Sequence, residues 1–186
     1  NGLVDLSDNS FEDLKLAFVL LKPSAMAENL RGSGLRAMLT LDGEFATPRV
    51  QYAINANRLV MNDMGLENLR ASGDVTVDAD RIMIPVEASV SRIEGLDTVA
   101  GGTLRDVRLA GDLAIHGSRI LSDNMRIRSD RIDAGLILLA DTSTGLYTGA
   151  IDGRIDNYRV ESVGIFNIET NVDLESQDGG FALAGR

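Results

Sequence analysis

Taken in steps of two from Leu69, one set of positions reads Leu69, Ala71, Gly73, Val75, Val77, and the set between them reads Arg70, Ser72, Asp74, Thr76, Asp78. Side chains along a strand point alternately to its two faces, so the pattern predicts a strand with one apolar and one polar side. The line LENLRASGDVTV (Leu66–Val77) is echoed 38 residues later by LRDVRLAGDLAI (Leu104–Ile115). There Val107, Leu109, Gly111, Leu113 and Ile115 stand against Asp106, Arg108, Ala110, Asp112 and Ala114. A fainter copy over residues 165–176 sets Phe166, Ile168, Val172 and Leu174 against Asn167, Glu169, Asn171 and Asp173. In each copy the apolar set is predicted to face an interior, and Asp74, Asp112 and Asp173 to face water.

Further β-like runs fill the chain: Leu14–Leu20, Leu35–Phe45, Val50–Met61, Arg81–Val90, Ser118–Ser129, Arg131–Ala140 and Tyr147–Val160. Turn residues separate them, at 63–65, 78–80, 101–102, 116–117, 141–145 and 178–180. One short helix is predicted over Ser24–Gly32, with Ser24 as N-cap and Gly32 just past its end. The expected fold is all-β: an elongated, curled, mostly antiparallel sheet of about a dozen strands, a trough-like meander. Repetition favours a stacked, elongated form, with the matching strand recurring once per unit. A closed β-sandwich is the alternative, because alternation cannot tell an apolar face closed by a second sheet from one left open. Gly73 and Gly111 fall on the apolar side, where a core wants volume; they mark a bulge, a bend, or the close approach of a backbone or ligand.

Composition narrows the function. The chain has 186 residues with 44% apolar and 4% aromatic, so the interior is aliphatic. A net charge of −10 argues against a nucleic-acid groove, which needs surplus Lys and Arg. No cysteine is present, which removes disulfides, thiolate metal sites and thiol nucleophiles. No apolar run reaches the roughly 18 residues of a membrane-spanning helix. The ends of the sequence read as those of a single internal β-segment, 1–186, cut from a longer protein.

No catalytic constellation emerges, and no cofactor or metal is expected. The single histidine, His116, sits at a strand end beside Gly117 and reads as a polar turn residue. Most carboxylates fall on the polar face of alternating strands. GSGLRA (Gly32–Ala37) fits a loose dinucleotide fingerprint but opens an alternating strand rather than a helix. Arg119, Arg126, Arg128 and Arg131 form a basic cluster, which Asp123, Asp130 and Asp133 balance as a solvated face.

The ordered string LLKPSAMAENLRGSGL, GTLRDVRLAGDL, SDNMRIRSDRI and GLYTGAIDGRIDNYRVESVG, with its repeated L-x-x-L-x-x-x-G-D-V strands, resembles the bacterial AsmA-like family of bridge-type lipid transfer proteins. It is most similar to the YdbH branch and more distantly to TamB. The resemblance implies an inner-membrane anchor outside this segment and a periplasmic β-groove that shields phospholipid acyl chains between the two membranes. Partner proteins in both membranes would follow, and no enzyme activity. The candidate groove-lining residues are Leu69, Val75, Val77, Val107, Leu109, Leu113, Ile115, Phe166, Ile168, Val172 and Leu174. The alternatives are a TamB-like scaffold for outer-membrane protein assembly and a closed β-sandwich binding module.

Overall fold

The computed structural model describes residues 2–25, 30–61, 64–78, 80–95, 102–160, 164–177 and 180–185. The expected turns at 63, 79, 101 and 178–179 lie outside the described residues.

Thirteen strands form one antiparallel sheet: β1 (Leu3–Asp5), β2 (Ser10–Leu20), β3 (Leu30–Ser33), β4 (Leu35–Glu44), β5 (Arg49–Met61), β6 (Met64–Val77), β7 (Ile82–Glu94), β8 (Leu104–His116), β9 (Arg119–Arg128), β10 (Ile132–Asp141), β11 (Leu146–Val160), β12 (Gly164–Gln177) and β13 (Gly180–Gly185). Strands follow one another in chain order from edge to edge, with β3 beside β5. Among the described residues the sheet does not close on itself and no second sheet lies over it. The sandwich alternative is thereby set aside in favour of the open meander.

The helix expected over Ser24–Gly32 is a correction. Pro23–Ala25 make a single 3-10 turn, and Leu30–Ser33 are strand β3. Tertiary pairing overrides the local signal: Leu30 to Ser33 find partners on Met61 to Arg58 of β5, which satisfies their backbone groups without a helix.

The 38-residue echo is a matter of register. Leu66 of β6 and Leu104 of β8 both pair with Ile93 of β7, and Val77 and Ile115 both pair with Ile82. The copies lie at one level, two strands apart. The faint third copy joins the same level through the row Ala110–Arg126–Gly135–Asp152–Asn171.

A second regularity cuts across the strands. The row Gly34–Asn57–Asn68–Ser91–Asp106 drops out of four successive ladders, while the register on either side of it is unchanged. On alternate strands of that row the backbone is left-handed, with φ of 69° at Gly34, 52° at Asn68 and 50° at Asp106. Asn and Asp tolerate this conformation better than other side chains, and a β-branched residue does not. In an unbroken strand, residues three apart point to opposite faces. Across the break they share one: Leu66 joins Leu69, and Leu104 joins Val107, around a core of Val90, Leu104 and Val107. The motif apolar-x-Asn/Asp-apolar recurs with φ of 46° at Asp13 and 57° at Asn157, where β2 and β11 carry bulges. The row is a crease, and beyond it Leu66, Ile93 and Leu104 stay on the apolar side, packed with Val90 and Val107.

Candidate functional site

From β2 to β12, paired residues carry one face across ten strands. One row of it reads Leu16–Leu39–Tyr52–Gly73. The next reads Leu41–Val50–Val75, and Ile84–Leu113 continues that level into β7 and β8. Farther along the sheet the same face carries Leu136–Ile151–Val172. Among the described residues no Asp, Glu, Lys or Arg stands on this face between the crease and the hairpins at the other strand ends.

Ten of the eleven candidate lining residues lie on this face. Leu69, Val75 and Val77 are half-buried on β6, and Leu109, Leu113 and Ile115 half-buried on β8, where Val107 is buried. On β12, Ile168 and Val172 are half-buried and Phe166 is exposed. Leu174 belongs to β12 opposite Gly149, and its side chain lies outside the described residues. Asp74 faces water. Asp112 is half-buried, its N–H donating to Asn124 Oδ1 (2.8 Å) and its Oδ2 accepting from Asn124 Nδ2 (2.7 Å), a side-chain substitute for the ladder where β9 bulges. Asp173 is half-buried.

The sheet bends toward this side. On β6 the apolar positions from Leu69 to Val77 are half-buried and the polar ones exposed, although neither side has a second layer. Ile132 of β10 packs against the Val90–Leu104–Val107 cluster, whose nearest strand is β8. Two strand spacings are about 9–10 Å on a flat sheet, so such contact requires curvature. Tyr52 of β5 also crosses two spacings: its hydroxyl donates to the carbonyl of Pro85 on β7 (2.8 Å). Burial raises the Tyr52 phenol above its usual range, and the charge of Glu87 adds to the shift.

The two glycines mark close approaches. A Cβ on Gly73 would sit 2.0 Å from the Pro85 carbonyl and 2.7 Å from the Tyr52 ring. One on Gly111, at φ 153°, would meet Met125 Cα at 2.6 Å. Both admit a neighbouring backbone.

The opposite side is polar and largely ion-paired. Arg58 bonds Glu67 (2.6 Å) and Glu94 (3.3 Å), and Arg92 meets Glu94 (3.1 Å). Of the sequence-level basic cluster, Arg126 (2.7 Å) and Arg128 (3.5 Å) converge on Asp133, and the Arg126 hydrogen bond holds that carboxyl below its usual range. Arg131 lies beside Asp130 and donates to the Thr103 carbonyl. A shallow depression on this side is lined by Arg126, Asp133, Asp152, Arg154 and Glu169, in which Arg126 is held by Asp133, Arg154 by Asp156 (3.6 Å) and Asp152 by Asn171 (3.2 Å). One apolar patch interrupts it, made by exposed Leu121, Ile137, Leu139 and Leu146. It escaped the alternation rule because Gly135–Ala140 is apolar at nearly every position. His116 is exposed at the β8–β9 turn, and among the described residues no cluster of three potential metal ligands forms.

What sequence reasoning missed is the crease. Its signal was the Asn or Asp that precedes an aliphatic in FEDL, LENL and LRDV and a tyrosine in IDNY. No family model, curated protein or solved structure matches the chain.

Proposed function

We propose that this chain is a segment of a phospholipid conduit between the two membranes of a bacterial envelope, with the apolar face shielding acyl chains, as the AsmA-like resemblance implies. The observation that supports it is the uncovered face itself. Nine spacings of about 4.8 Å and eight residues of about 3.3 Å make an area on the order of 1,000 Å². Soluble monomers rarely leave contiguous apolar patches beyond a few hundred Å². Such a face needs an occupant, and one without hydrogen-bonding groups suits it. Each methylene removed from water contributes about 0.8 kcal/mol. A uniform aliphatic wall offers an acyl chain many near-equivalent positions, which is what sliding along it requires. The segment would work in the periplasm, anchored elsewhere to the inner membrane, with partner proteins at either membrane.

The test is native mass spectrometry of the chain purified without detergent, with transfer of a fluorescent phospholipid between vesicles measured alongside. Bound phospholipid and transfer are expected, with both lost in Leu113→Arg while the sheet persists. A lipid-free chain that transfers nothing would sink the proposal. Crosslinking to a protein partner through an edge strand, without lipid, would favour the assembly-scaffold reading.

A further inference from the structure

The apolar face is not symmetric about its length. At the crease rim Leu104, Val107 and Val90 are 2%, 4% and 8% exposed, with Leu66, Leu69 and Ile93 packed around them. At the hairpin rim Val77, Ile82 and Ile115 are only half-buried. Beyond the crease Arg58, Glu67, Glu94 and Arg92 pair with one another. Arginines without an ion pair among the described residues stand at both rims, Arg31 and Arg105 beyond the crease and Arg49, Arg81 and Arg119 at the hairpins, so burial rather than charge distinguishes the two.

Resting on the conduit reading, we infer that the face is a one-sided slot in which an amphiphile lies along the strands, its tail ends against the crease and its headgroup at the hairpin rim. The crease is an apolar wall with no room for a hydrated group, because Leu66, Ile93 and Leu104 close-pack there with Val90 and Val107. The hairpin rim is wet and carries side chains free to meet a headgroup. The eight residue steps from Leu69 to Val77 span about 26 Å. A lipid tail occupies roughly half of a 30 Å bilayer core, about 15 Å, so it fits between the rims. Asn68 and Asp106 are positioning residues: their left-handed backbone puts Leu66 and Leu104 on the apolar side.

Two photoactivatable phospholipids test this, one with a diazirine at the acyl terminus and one with it beside the glycerol. The chain is incubated with vesicles holding either probe, irradiated and mapped by peptide mass spectrometry. The acyl-terminal probe should label Leu69, Ala71 and Leu109 several-fold over Val77, Ile115 and Ile120, and the glycerol probe the reverse. Labelling of the face without that polarity, or with it inverted, overturns the inference and leaves the conduit standing. No labelling by either probe overturns both. Asn68→Val with Asp106→Val should erase the polarity, and Asn68→Gly with Asp106→Gly should keep it, because glycine accepts the left-handed conformation. Equal behaviour of the two pairs counts against the wall.

Discussion

The ring of Tyr52 lies over Gly73, with its hydroxyl on the Pro85 carbonyl (2.8 Å), so one side chain ties β5 to β7 across a strand that has no side chain at that point. The glycine is required by the tyrosine and by the carbonyl beside it. Together they pin the bend of the sheet on its apolar side.

Gly73→Ala should destabilise the fold by about 1–3 kcal/mol, since the added methyl meets a backbone oxygen that cannot yield. Gly135→Ala is the control. Its nearest atom is 3.8 Å away, so the change should be neutral or mildly stabilising. Urea unfolding of the two variants measures the contrast.

Tyr52→Phe should cost about 1 kcal/mol, the loss of one hydrogen bond that leaves the Pro85 carbonyl without this donor. The wild type should show a pH effect that this variant lacks. The folded phenol is raised above its unfolded value of about 10. Its contribution is complete below that value and is lost as pH rises through the folded one. Unfolding free energies on the alkaline side should fall more steeply for the wild type than for the variant.

Asp133 titrates in the opposite sense. Arg126 and Arg128 hold its carboxyl low. Its contribution is present above the usual carboxylate range and lost as pH falls through the depressed value. Asp133→Asn should flatten the acid limb of the stability profile, and added salt should shrink the difference because the pair is exposed.

Leu104→Ala and Val77→Ala separate the wall from the open rim. Leu104 is nearly inaccessible, so its truncation should cost about 2–5 kcal/mol. Val77 is half-buried and outside the packed cluster, and its truncation should cost well under that. Equal losses would mean that the face is covered along its whole depth.

Asp106→Gly should be tolerated, and Asp106→Val should destabilise, because valine resists φ near 50°. Chemical unfolding of both gives the sign. Hydrogen exchange should show the loss concentrated at Leu104 and the strand ends beyond the crease.

Period-two alternation is local: it follows from the pleat and needs no knowledge of the rest of the chain. That is why Leu69 to Val77 and Val107 to Ile115 were assigned to one face from the letters alone, and why the 38-residue echo announced strands in common register. Strand bounds followed for the same reason, with β9, β10 and β11 falling within a residue of the runs that predicted them. The short helix failed because a turn signal at Ser24 says nothing about β5, whose edge was waiting for Leu30–Ser33.

Three things depended on contacts between distant residues. The crease needs Gly34, Asn57, Asn68, Ser91 and Asp106 side by side, although they come from five separate stretches of chain. Tyr52 meets Gly73 only once β5 and β6 are in register. Most of all, an apolar stripe reads the same whether a second sheet covers it or not. Covering is a matter of what lies about 10 Å above the sheet, and strand alternation carries no information at that distance.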